Sequence, residues 1–197
     1  MHFVPRWRRT APLLSWQGRR FSPGSEDGPR PSDHRDDYER EVGCEPPGEP
    51  LPDGPHRRAA AAILRYDIFP PSRIEPVLSR TPIEIGTTVG ALYHLLPLLD
   101  VFFASRVTAC FDGPEGGWFR TGFTYRTLDG HPEMGEETFS AEKELTTGIV
   151  RVALRSWSRP GTWVTRIGRP ALRAVQVGAS RAALEHLAEL ARSTAGP

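Results

Sequence analysis

Two stretches of this 197-residue chain alternate between inward-type and outward-type side chains, and a third repeats every three to four residues. Between Trp118 and Leu128, the residues Phe119, Thr121, Phe123 and Tyr125 fall on one face. Arg120, Gly122, Thr124 and Arg126 fall on the other. From Ile149 to Trp157, Val150, Val152, Leu154 and Ser156 oppose Arg151, Ala153, Arg155 and Trp157. A period of two predicts antiparallel strands with one face buried and one wet. Near the end, Leu172, Val175, Ala179, Ala183, Leu187 and Leu190 share one stripe of a helix that opens at Pro170 and stops before Gly196–Pro197. Further strands are expected at Ile74–Leu78, Thr87–Leu95, Val101–Phe111 and Thr138–Glu144. A short helix is expected over His56–Tyr66, where four consecutive alanines favour it and Pro70–Pro71 lies beyond its end. Strands followed by one long amphipathic helix predict an α+β fold, a curved antiparallel sheet packed on a long C-terminal helix. The space between those two layers is a natural apolar pocket.

The first part of the chain does not follow these patterns. Residues 1–55 hold 10 of the 20 prolines and 6 of the 19 glycines, which resist both helix and sheet. Five arginines precede the first acid, Glu26, and ten acids with five arginines follow up to Arg58. We expect residues 1–32 to be a disordered Arg/Pro-rich leader, 33–192 a single domain and 193–197 a tail. The Arg-rich leader interleaved with Phe3, Trp7, Trp16 and Phe21 has the composition of a segment that touches RNA, an anionic membrane or a partner. For the folded part, 15 basic against 14 acidic residues over 59–197 argue against a nucleic-acid binder. No stretch reaches the length of a membrane span, and the short apolar patch Ala11 to Trp16 is not a secretory signal. Two cysteines, Cys44 and Cys110, cannot build a disulfide framework and favour a reducing, cytoplasmic setting. Cys110 is expected to be a small core residue.

Chemistry-bearing residues concentrate in the stretch from Tyr125 to Glu137. Asp129–Gly130 followed by His131–Pro132 is a turn signal between two strands. It brings His131 and Glu133 to a strand end and sends Glu136 and Glu137 to opposite faces of the next strand. His131 is a candidate general base, with Glu133 or Glu137 fixing its tautomer. No second His stands at a useful spacing for a metal, and no cofactor motif is present, so neither is expected. Arg159 is a candidate to pair with Glu133 or Glu137 or to hold an anionic ligand. Gln176, beside the apolar stripe of the last helix, needs a polar partner. Tyr93 and His94, on a strand, are expected to be satisfied within the core.

The stretch Gly122 to Phe139 resembles the signature of an uncharacterised family, the domain of unknown function 1990. Trp157-Ser158-Arg159-Pro160 with Trp163, and Pro170 to Gln176, match two further phrases of that family in the same order. The resemblance spans about residues 33–192. Arg126 stands where the family carries Gly, and Thr138 where it often carries Arg. The resemblance implies a helix-grip, or START-like, architecture, whose members hold apolar molecules and in some cases catalyse cyclisation or hydration.

Two functions follow as expectations. The first is a module that binds a hydrophobic small molecule between sheet and helix, with Tyr125, Arg159 and Gln176 as polar anchors. The second is a small cyclase or hydrolase using His131 with Glu133 or Glu137 on the turn.

Overall fold

The alternating stretches become the middle of one antiparallel sheet. A computed structural model describes residues 2–5, 13–72, 74–96, 99–160 and 169–193, and side chains for 13–72, 74–94, 100–159 and 176–193. The side chains of Leu172, Val175 and Trp163, residues 6–12 of the leader and the tail beyond 193 lie outside these. The strands are β1 (His2–Pro5), β2 (His34–Cys44), β3 (Ile74–Leu78) and β4 (Thr88–Leu96), then β5 (Leu99–Glu115), β6 (Trp118–Thr127), β7 (Glu133–Glu144) and β8 (Ile149–Pro160). Their order is β2–β8–β7–β6–β5–β4–β3, with β1 beside β5. Register shifts between Glu41 and Gly43, His94 and Leu96, and Val107 and Ala109 insert the bulges that increase twist.

Helices α2 (Pro55–Leu64) and α3 (Arg169–Arg192) cover one face of this sheet. Phe123, Phe139, Val150, Val152 and Leu154 point inward from the strands. Ala59 and Ile63 of α2, with Ala183, Leu187, Ala188 and Ala191 of α3, meet them. The predicted period-two faces are therefore the ones that the sheet buries. The predicted architecture, a curved antiparallel sheet gripping a long C-terminal helix, is the one observed.

Three expectations change. Strand β2 lies within the Pro/Gly-rich part, where composition hid it. It is an edge strand whose outward Arg35, Asp37 and Glu39 are charged, while Tyr38 and Val42 pack on the core. Residues 13–32, expected to lie outside the domain, pack on it instead. A short helix α1 (Leu13–Gln17) buries Trp16 completely against Leu92, Phe102, Ala104 and Leu128 on the outer side of the sheet. Arg19 lies 4.0 Å from the Trp16 ring, and Phe21 bridges to Leu128. One tryptophan and one phenylalanine thus anchor a segment that its average composition could not. Finally, Cys110 is exposed on β5 beyond the Val107–Ala109 bulge, not in the core. His94, expected within the core, is half-buried and finds its partner in Asp100 at 3.0 Å.

A buried ion pair fixes one end of the fold. Lys143, the only lysine among 25 basic residues, is 0% exposed and donates to Glu45 at 3.0 Å and to the Glu49 carbonyl at 2.9 Å. Glu45 also accepts from the backbone N–H groups of Leu51 and His56, so it caps the start of α2. Glycines enclose it. A Cβ on Gly54 would lie 2.3 Å from Glu45 Oε1, and one on Gly148 would lie 1.8 Å from the Glu45 carbonyl oxygen. Burial alone would raise the Glu45 pKa, but the His56 and Leu51 N–H groups and Lys143 together lower it.

Replacing Lys143 by Met strands a buried carboxylate and should cost about 3–5 kcal/mol in urea unfolding. Because the Glu45 pKa is lowered by folding, its stabilisation is complete above the unfolded value of 4.5 and is lost as pH falls through the folded value. Glu45→Gln should therefore remove part of the acid limb of the stability–pH profile. An unchanged acid limb would argue against this account.

Candidate functional site

Strand register gathers the polar residues of the inner face into a row. Tyr125 of β6 lies opposite Glu137 of β7, Glu137 opposite Ser156 of β8, and Ser156 opposite Asp36 of β2. Residues opposite one another in an antiparallel sheet share a face, so the row crosses four strands above the apolar floor of Phe123, Phe139 and Leu154. Gly135 lets β7 approach β8 at this end, since a Cβ there would stand 2.1 Å from the Trp157 carbonyl oxygen.

The Tyr125 hydroxyl donates to Glu137 Oε2 at 2.5 Å. Tyr66, two residues past the end of α2, brings its own hydroxyl to that of Tyr125. Its φ of 60° is left-handed, a conformation that costs a non-glycine residue about 1–2 kcal/mol. Its ring packs near Phe69, Phe123 and Phe139, which holds it there. Burial pushes the Glu137 pKa up to about 7, against the lowering effect of the Tyr125 hydrogen bond, and Glu133 and Asp36 add to the rise. Burial and the neighbouring Glu137 raise the Tyr125 pKa as well. Near neutral pH the carboxyl therefore passes between its two protonation states, while the phenol stays protonated.

The other predicted residues fall in three places. Glu133 accepts from Gln176 Nε2 at 3.2 Å, which joins β7 to α3 and gives Gln176 the partner it needed. His131 stands on the turn, where Gly130 adopts a φ of 91°. Its Nδ1 lies 2.7 Å from the Glu133 carbonyl oxygen, not against either carboxylate, and its ring meets Phe103 edge-on at 4.8 Å. Burial lowers its pKa to about 3, so it is neutral across the physiological range. The His–carboxylate pair expected on the turn is thus not formed, because the two-residue spacing turns the ring onto its own backbone.

Arg159 is placed on the opposite side of the sheet. Glu133 pairs with Pro160 and Met134 with Arg159, so alternation sends Arg159 away from Glu133 and Glu137. It donates to the Gly28 carbonyl at 2.7 Å, lies 3.2 Å from Asp33 and sits over the Trp157 ring at 5.1 Å. It ties residues 28–33 to the outer face. Arg126 likewise faces outward and meets Glu136 at 2.9 Å. Thr138 exchanges a 2.8 Å hydrogen bond with Thr124. Sequence reasoning missed Tyr66 and Asp36. For Asp36 a signal existed, its two-residue spacing from Tyr38 and Arg40 on a charged strand. Tyr66 carried none, since only the tertiary fold brings a residue beyond a helix end to the sheet. Among the described residues no group of three or more His, Cys, Asp or Glu side chains is arranged to hold a metal.

Two outcomes test this geometry. Arg159→Ala leaves the nearly inaccessible Asp33 without its cation; it should cost about 1–3 kcal/mol and speed cleavage after Glu26 by a glutamate-specific protease, measured by limited proteolysis. Folding raises the Glu137 pKa, so the folded state binds more protons than the unfolded one between about pH 4.5 and 7. Stability should therefore fall as pH rises through that window, and Glu137→Gln should flatten that slope. Parallel profiles for the two proteins would contradict the assignment.

Known proteins resemble this chain in sequence or in fold. A UPF0548 protein of Dictyostelium discoideum is 32% identical over 127 residues, which is 61% of this chain and 58% of that protein, so the chain spans little more than half of its relative. The solved structure of norcoclaurine synthase from Thalictrum flavum, in complex with dopamine and hydroxybenzaldehyde, superposes with a TM-score of 0.51 at 8% identity. That match covers 84% of this chain and 90% of the synthase, and at such identity it shows the fold alone, the helix-grip arrangement. Residues 23–186, from the strapped segment that follows Trp16 into α3, match the family described as Domain of unknown function (DUF1990), and the chain belongs to that family.

Proposed function

We propose that this protein binds a hydrophobic small molecule between the inner face of the sheet and α3. One observation carries the reading. Burial dominates the electrostatics of Tyr125, Glu137 and His131, yet each keeps accessible surface. Surface that stays accessible at such depth supports an internal space at this point, since a closely packed interior leaves none. The floor supplied by Phe123, Phe139 and Leu154 suits an apolar body. Tyr125 and Glu137, with Gln176 and Glu133 at the helix side, offer the few convergent polar groups that orient such a ligand. Arg159 has no part in this site, because it serves the outer face.

A cytoplasmic setting is part of the same proposal. Cys44 and Cys110 are free and exposed, which suits a reducing compartment. Among the described residues no helix is long and apolar enough to cross a membrane.

The test uses Nile red, a neutral dye whose emission shifts to the blue in apolar surroundings. Titrating it into the full chain should give saturable, one-to-one binding. Ser156→Phe, which fills the middle of the polar row, should weaken that binding about tenfold or more while the far-ultraviolet circular dichroism stays unchanged. Unsaturable dye emission, or equal affinity in the filled variant, would sink the proposal.

A further inference from the structure

Within the polar row, one contact is set apart from ordinary ligand anchoring. Glu137 is a carboxyl whose described hydrogen-bond partner is a phenol, and that phenol is in turn met by a second one from a left-handed residue. The next residue along the strand shows the alternative. Glu136 points outward and is matched by the guanidinium of Arg126. The left-handed residue closes α2: the N–H groups of Tyr66 and Asp67 return to the carbonyls of Ile63 and Ala62, a helix ending that turns the chain back over the sheet. That ending brings Tyr66 against Tyr125 and so fixes where the Tyr125 hydroxyl stands.

Resting on the binding reading above, we infer that Glu137 and Tyr125 form a proton-transfer pair acting on an apolar ketone or aldehyde with an acidic C–H beside its carbonyl. The carboxylate of Glu137 takes a proton from that carbon. The C–H bond breaks, its electron pair becomes the C=C bond of an enolate, and the carbonyl π pair moves onto oxygen. Once protonated, Glu137 is a weaker acceptor for Tyr125, whose O–H is released to turn toward the new oxyanion. The reverse step returns a proton from Glu137 to the same carbon and restores the carbonyl. No oxidant or co-reactant enters. The substrate class follows from the surroundings. The apolar floor excludes strongly hydrated molecules, and a base with a hydroxyl donor one hydrogen bond away serves both ends of a single enolisation. Tyr66 is a positioning residue in this scheme, acting through Tyr125.

The probe is 2-tetralone, an apolar ketone whose C1–H is acidified by ring and carbonyl together. The full chain is mixed with it in D2O, and loss of the C1–H resonance is followed by proton NMR while Nile red displacement reports binding. Exchange should run faster than in buffer and saturate with ketone. Glu137→Gln should lower the protein-dependent rate about a hundredfold, Tyr125→Phe about tenfold or more, and the outward-facing Glu136→Gln should leave it unchanged. Near-ultraviolet circular dichroism checks that each variant folds, and Tyr125→Phe carries the test if Glu137→Gln does not. Displacement of the dye with exchange at the buffer rate, or full exchange in Glu137→Gln, would overturn the inference and leave the binding reading intact. A ketone that does not displace bound dye would overturn the assigned substrate class, whereas failure of the dye to bind would remove the binding reading as well.

Discussion

The contact between Lys143 and Glu45 is the point on which the inner face depends. Burying two charges is unfavourable unless each is fully engaged, and here both are. Glu45 takes up the ammonium and two backbone N–H groups, while Lys143 reaches the Glu49 carbonyl as well. The pair joins the end of β2 to the end of β7 and sets where α2 begins. From that start, ten residues of helix end at Leu64, and the turn that follows carries Tyr66 back over the sheet. The position of a phenol hydroxyl at the polar row thus traces to an ammonium at the other end of the helix.

Strand β7 shows how one backbone sets two acids to opposite tasks. Glu142 points outward, is 0% exposed, and is ringed by Arg120, Arg151 and Arg155, of which Arg151 approaches within 2.8 Å. Burial alone would raise its pKa; the hydrogen bonds and charge of Arg155, and then Arg151, lower it. Glu137, five residues earlier on the other face, has a phenol for its partner and carboxylates within Coulombic reach, and its pKa moves upward. Burial is common to the two residues. The sign of the shift follows from the charge of the neighbours. Outside, the acid is a structural anion that closes the sheet surface. Inside, it is a group that can hold or release a proton.

Much of this fold was legible because its central strands bury one face and wet the other. The alternation of Phe119 to Tyr125 and of Val150 to Ser156 mapped directly onto the inner layer, and so did the helical stripe at Ala183 and Leu187. The turn at Asp129–Gly130 was legible from its dipeptide. What the sequence concealed was register and long-range anchoring. His131 and Glu133 are neighbours in sequence, but the ring turns to a backbone carbonyl. Arg159 stands one residue off the phase that would have brought it to Glu137. Trp16 is surrounded by Leu and Ser in a Pro-rich stretch, and only its cavity on the outer sheet, built from Phe102 and Leu128, makes it structural. Periodicity reports which face a residue belongs to. It carries no information about which distant segment will cover that face.

The solitary lysine has a consequence for the life of the protein in a cell. Enzymes that acetylate or ubiquitinate side-chain amines act on the ε-amine of lysine, and arginine does not replace it there. The one such amine in this chain is wholly inaccessible and already committed to a carboxylate and a carbonyl. Acylation at the lysine of this chain is therefore blocked in the folded state, while opening of the fold exposes that site at once. Labelling at Lys143 itself reports that opening, and modification of this lysine is confined to molecules in which its surroundings have come apart.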